Sequence, residues 1–158
     1  MVTKPGTFVS RSDAKPAPNI SISHDIVIAN GTANYFLMSI DLDAPYPSLP
    51  FLSPILHGMQ AGLKAEGQPD AEGYIKFTSS GKDISAWIPP NPPPLSAEHR
   101  YVFLVWEQPD DLTNDKIKER LGIADVMVRT SRMRWDQEGC EKKLGLGLIL
   151  GGAYFLTN

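Results

Sequence analysis

The sequence predicts a mainly β protein built as one domain. Three features of the 158-residue chain point that way: several short runs rich in Ile, Val, Phe and Tyr, turn residues bounding each run, and 42% hydrophobic content, enough for one sizeable core. The first nineteen residues are polar and interrupted by Pro5, Pro16 and Pro18, which favours an extended N-terminal arm over a helix.

Strand-type runs follow at 20–30 (ISISHDIVIAN), 34–42 (NYFLMSIDL), 73–79 (GYIKFTS) and 101–108 (YVFLVWEQ). YFLMSID and YVFLVWEQ are almost continuously apolar, as expected of strands buried on both faces at the centre of a sheet. Over 111–123, Leu112, Ile117 and Leu121 recur at near-helical spacing among alternating charges, and Gly122 is placed to end a short surface helix. A second helix is expected from Trp135 to about Leu144. The glycines of GLGLILGGAYF then make a loop or a closely packed last strand.

Composition narrows the function. With 15 basic and 18 acidic residues the formal net charge is -3, so the chain lacks the basic footprint of a nucleic-acid binder. No apolar run approaches the roughly 20 residues that span a bilayer, and no signal-peptide core is visible, which predicts a cytoplasmic protein. The lone Cys140 can form no internal disulfide and reads as a small packing residue.

Polar residues gather beside the predicted buried strands in DLDAP (41–45), LHG (56–58) and EHRY (98–101). Asp41 and Asp43 are two apart at a strand end, so both side chains share a face if the strand runs through them; otherwise they are turn residues bonding local backbone. Pro45 ends the ladder, because it has no N–H. His57 and His99 adjoin core strands, either as satisfied structural imidazoles or as proton-transfer and anion-binding groups converging with the aspartates. No HExxH-like spacing suggests a metal, no GxSxG elbow suggests a serine hydrolase, and no cofactor is expected. Arg100 alternates away from His99 and Tyr101 and is expected in an ion pair, while Arg129, Arg132 and Arg134 are expected on a solvated face.

Taken in order, DLDAP, LHG, the cluster IPPNPPPL and HRYVFLVWEQ, the chain resembles the phosphatidylethanolamine-binding protein family, which includes Raf kinase inhibitor proteins and plant flowering regulators. The family's Asp motif falls on Asp41, Asp43 and Pro45, and its pocket histidines fall on His57 and His99. Its loop before the second histidine aligns without a gap from Trp87 to Tyr101, with pocket prolines at Pro92 and Pro93. SRMRW (131–135) and GGAYF extend the likeness over nearly the whole chain. The resemblance implies a β-sandwich of two antiparallel sheets with peripheral helices. It also implies a small-molecule or anionic ligand held by Asp41, Asp43, Pro45, Leu52, His57, Trp87, Pro92, Pro93, His99 and Tyr101, and a possible protein partner.

The chain departs from the family pattern in ways that mark a divergent, fungal-type member. Leu52 stands where the family has a tyrosine, which removes a hydrogen bond of about 0.5–1.5 kcal/mol and adds apolar wall. Pro89, Leu95 and Ala97 replace loop glycines, and Gly58 replaces an aromatic. Two functions follow. One is a binding module with a more apolar pocket. The other is a cofactor-free enzyme of natural-product metabolism in which Asp41, Asp43, His57 and His99 assist cyclisation, dehydration, isomerisation or condensation.

Overall fold

The computed structural model describes residues 4–31, 33–79 and 81–158. Their elements are β1 (Thr7–Phe8), β2 (Ser21–Ser23), α1 (His24–Asn30), β3 (Tyr35–Asp41), β4 (Ile55–Ala65), β5 (Tyr74–Thr78), β6 (His99–Glu107), α2 (Asn114–Leu121), a 3-10 turn (Arg129–Arg132), α3 (Gln137–Leu144) and β7 (Ile149–Thr157). The fold is mainly β, as expected. Hydrogen bonding runs through the order β1-β7-β6-β3-β4-β5-β2 in a curled sheet, mixed because β1 pairs parallel with β7. No helix among the described residues is long and apolar enough to cross a membrane.

Alternation along β3 decides which side chain meets which layer. All seven of its residues are buried, in agreement with the apolar run. Phe36, Met38 and Ile40 pack with Trp106 under α2 and α3, where Ile117, Cys140 and Leu144 close the layer. Tyr35 and Leu37 face the other way, into a cluster with Tyr101, Phe103, Val105 and Phe155 that Ala14 of the N-terminal segment also joins. In β6, Val102 and Leu104 are only half-buried on the helical side, so this strand is less enclosed than its composition predicts. Both predicted helices form. Gly122 and Gly145 each end one with φ near +65° (65° and 68°), the left-handed conformation that glycine adopts without a Cβ clash.

One strand-type run takes a different structure. The run 20–30 is not one strand: it pairs only over Ser21–Ser23 and then turns into α1. Ser23 Oγ accepts from Asp25 N at 3.3 Å, capping the helix, and Ile26 and Val27 pack against the Leu37 side of the sheet. Capping and packing outweigh the strand preference of Ile26, Val27 and Ile28. β4, an eleven-residue strand, lies outside the strand-type runs named above, because its glycines weaken the pattern.

Candidate functional site

His57 reaches the site through a β-bulge. Antiparallel partners share a face, and β3 pairs Met38 with Met59 and Ser39 with Gly58, so the next pair would join Ile40 to His57 on the helical side. Instead Ile40 pairs with Leu56. The extra residue puts Leu56 into the apolar layer and frees His57 to turn to the opposite face. There its ring meets Tyr101 edge-on, centroids 4.9 Å apart, and lies 5.7 Å from Trp87.

Asp41 ends β3 opposite Tyr101 of β6, and its two oxygens serve two groups. Oδ1 accepts from Asp43 N at 2.8 Å, while Oδ2 lies 2.9 Å from His99 Nδ1. On the far side of that ring, Nε2 lies 2.9 Å from Ser96 Oγ, which is also 2.9 Å from Ala97 O. One hydroxyl proton cannot serve both. Donation to Nε2 suits a neutral His99; donation to Ala97 suits a cationic one that donates to Ser96. His99 stacks on Tyr101 at 6.3 Å, and Tyr101 on Phe155 at 5.3 Å.

The structure thus brings together Asp41, His57, Trp87, His99 and Tyr101, and it separates Asp43 from them. The strand stops at Asp41, so the two carboxylates take different directions. Asp43 receives Arg100 N and Nε at 2.8 Å and Nη2 at 2.7 Å, the ion pair expected of Arg100. Pro45 and Leu52 belong to the next loop, where Leu52 N donates to Ala44 O and Leu52 O accepts from Arg134 N. Pro92 and Pro93 use their carbonyls to hold the loop: Pro92 O accepts from Arg11 Nη2 of the N-terminal segment at 3.0 Å, and Pro93 O from Ser96 N at 3.1 Å.

Burial sets the electrostatics. It lowers the His57 pKa, although the Ile88 carbonyl and Asp41 act in the opposite sense. His57 Nδ1 lies 2.7 Å from Ile88 O, which can only accept, so Nδ1 carries the proton of the neutral ring and Nε2 holds the lone pair. Burial and the adjacent Asp41 push the Tyr101 phenol far up, so it remains a donor at any physiological pH. Burial alone would raise the Asp43 carboxyl, but the Arg100 guanidinium outweighs it and holds the group below its ordinary range.

Two arginines escaped the sequence reading. Arg11 crosses from the N-terminal segment, donating Nε to Asn158 O and Nη2 to Pro92 O. Arg132, expected on a solvated face, is buried. Its Nη1 donates to Ala86 O at 3.0 Å, with longer contacts at 3.4 Å to Leu56 O and His57 O. No carboxylate pairs with it among the described residues, and burial lowers its pKa. Arg129 and Arg134 are exposed as expected. Spacing could not single out Arg132, because its burial depends on the 3-10 turn docking against β4.

Asp41, His57, His99 and Tyr101 are each at most 5% exposed. Cavities of about 30 and 240 Å³ lie on the other side of Trp87, between residues 17–20 and the sheet, and none of those four residues lines them. No group of three or more His, Cys, Asp or Glu side chains arranged to hold a metal occurs among the described residues. Burial pushes the Cys140 thiol up to about 12, so it is no nucleophile at neutral pH.

A family model described as phosphatidylethanolamine-binding protein matches residues 3–139. Among solved structures, a carboxypeptidase Y inhibitor complexed with its cognate proteinase is similar at TM-score 0.71 and 19% identity, over 97% of this chain and 76% of that one. A phosphatidylethanolamine-binding protein from Plasmodium vivax is similar at TM-score 0.66 and 14% identity, over 97% and 77%. A homologue from Chlamydia trachomatis is similar at TM-score 0.55 and 17% identity, over 99% and 91%. At these identities the structural likeness is one of fold.

Proposed function

Because the chain belongs to the phosphatidylethanolamine-binding protein family, we propose that it is a binding protein whose Asp41, His57, His99 and Tyr101 cluster takes a small anion of phosphate or carboxylate type. The observation that carries this reading is Arg132: a buried guanidinium that has no carboxylate partner among the described residues and is hydrogen-bonded to the backbone that holds His57. An unneutralised buried cation makes the nearby positive potential strong, and Arg11 adds charge from the other side. Tyr101 keeps its O–H proton and stands beside Asp41, so an entering anion competes with that carboxylate for the proton. His57 is neutral with a lone pair on Nε2, so an anion that approaches this atom must bring a proton or draw one onto the ring. Trp87 forms an aromatic wall beside His57.

This chemistry makes anion affinity fall as pH rises. Titration with inorganic phosphate at pH 5.5 and 7.5, followed by NMR of the imidazole and Tyr101 resonances, should give weaker binding at the higher pH. Tyr101→Phe should weaken binding about tenfold, as for one hydrogen bond to a charged group. Phosphate that leaves the His57, His99 and Tyr101 resonances unmoved sinks the proposal.

A second reading assigns acid and base roles to the same groups. It is favoured by the His57 Nε2 lone pair and by the Asp41–His99 pair, which provide a base and an oriented imidazole. The burial of the cluster leaves little room for a bulky substrate and suits a small anion better. Conversion of a natural-product intermediate that is lost in both His57→Ala and His99→Ala would decide for catalysis.

A further inference from the structure

Beyond the anion cluster, two adjoining cavities open beneath the proline-rich end of the N-terminal segment. They share Ala17, Pro18, Ile20, Leu37 and Gln60, and so form one groove. The inner part, about 30 Å³, has room for one group the size of a water molecule. The outer part is about 240 Å³, and Asn19, Gln60 and Ser79 bring polar side chains to its lining.

The inner part is supplied with acceptors. Asp83 lines it and is the only charged residue in the lining of either part. Its Oδ1 accepts from Gln60 Nε2 at 2.7 Å, but an amide is neutral and leaves the carboxylate uncompensated. None of the ion pairs among the described residues includes Asp83. With Nε2 engaged there, Gln60 offers its Oε1, which can only accept.

Two buried hydroxyls complete the set. Ser85 is 3% exposed, lines the inner part, and its Oγ has no hydrogen-bond partner among the described residues. Its N–H and carbonyl both bond to Met59, at 3.1 and 2.9 Å, which holds the residue in place. Buried hydroxyls are almost always paired, so an unpaired one facing a cavity calls for a partner from outside the chain. Ser39 lines the same part and makes only a 3.4 Å contact, to Gly58 O, which leaves its lone pairs available. A carboxylate, an amide oxygen and two hydroxyls, with no cation among them, are complementary to a primary ammonium: a compact head with three donors, no acceptor and one positive charge.

Trp87 divides this groove from the anion cluster. Its ring is 5.7 Å from His57 on one side and stacks at 5.9 Å on Phe103, a wall of the groove, on the other. The indole Nε1 donates to Lys15 O at 3.1 Å, which fastens the segment that roofs the groove.

We infer that this groove is a second binding site, separate from the anion cluster, for a hydroxylated primary amine. The ammonium enters the inner part between Asp83 and Ser85, and the hydroxylated chain lies in the outer part against Asn19, Gln60 and Ser79. Since benzene occupies a cavity of about 150 Å³, about 240 Å³ takes about nine heavy atoms beyond the ammonium.

1-Amino-1-deoxyxylitol has that size and serves as the probe. Xylitol, which carries a hydroxyl in place of the ammonium, is its uncharged control. In a backbone-amide NMR titration at low ionic strength, the amine should shift Ser39, Gln60 and Ser85 while leaving His99 and Tyr101 in place, and should bind about fivefold tighter than xylitol. Saturating phosphate should not change its affinity. Asp83→Asn, at an exposed position, removes the charge and keeps an acceptor for Gln60, so it should weaken the amine about fivefold, leave xylitol unaffected and hold Tm. Ser85→Ala should weaken the amine by a similar factor. Equal affinities for amine and xylitol, unaltered binding in Asp83→Asn, displacement by phosphate, or the absence of shifts at Ser39, Gln60 and Ser85 would overturn the inference. Phosphate binding is read at His57 and Tyr101, so either site can fail without the other.

Discussion

Asp41 Oδ2 and His99 Nδ1 meet at 2.9 Å across 58 residues of chain, both side chains buried. The contact closes the polar end of the β3 and β6 pair, where the sheet would otherwise end in unpaired groups. Asp41→Ala leaves the buried Nδ1 without its acceptor and Asp43 N without its own, at a cost of about 3 kcal/mol. Urea unfolding measures it; a loss under about 0.5 kcal/mol contradicts a structural role for the pair.

His57 and Asp43 give acid sensitivity in two separate windows. The folded-state pKa of His57 lies below the ordinary 6.5, so the unfolded chain takes up its proton first and stability falls as pH drops below 6.5. The Asp43 pKa is also depressed, but from 3.8, so its contribution is present above that value and is lost only as pH falls through it. Tm measured between pH 7.5 and 5 should decline in the wild type and less in His57→Gln, whose amide can still donate to Ile88 O. Equal slopes would place the sensitivity elsewhere.

Arg132 lowers the pKa of His57 through its charge, in addition to the larger effect of burial. Arg132→Met keeps an apolar stem and removes the cation, so the His57 pKa should rise. Titration of the imidazole C–H resonances reads the shift directly, and an unchanged or lower value would show that Arg132 exerts no field there. The same variant should weaken phosphate binding.

Leu95 is fully exposed and has φ of 64°. It stands at a loop position where the family resemblance places glycine, and the backbone keeps the conformation that glycine favours. Leu95→Gly relieves that strain and removes no buried contact, so Tm should hold or rise, by the equivalent of up to about 1 kcal/mol. A marked fall would mean that the leucine side chain does something for the folded chain beyond the contacts it makes here.

Much of the fold is legible in the sequence because it rests on local signals. The apolar runs mark β3 and β6, and Gly122 and Gly145 stop their helices where only left-handed backbone continues. Asp41, His57, His99 and Tyr101 are recognisable by their motif context and come together in space. Residues 24–30 misled because their β-branched side chains resemble a strand, while the Ser23 cap and contact with the sheet make them a helix.

What only the tertiary structure decided is direction. A one-residue change of register moves a side chain through the sheet, and the bulge at His57 is settled by whether Leu56 or the imidazole is buried against Ile40. Gly58 is the one local trace of it: a Cβ there would lie 3.2 Å from Ser39 Oγ and 3.6 Å from the Trp87 backbone. The same holds for Arg132, a surface residue by composition and a buried cation by docking, and for Asp43, which leaves the cluster because β3 ends two residues before it. Sequence by itself determined which residues are available for the chemistry. Long-range pairing decided which face they occupy, because burial of the apolar neighbours outweighs any preference of the polar side chains.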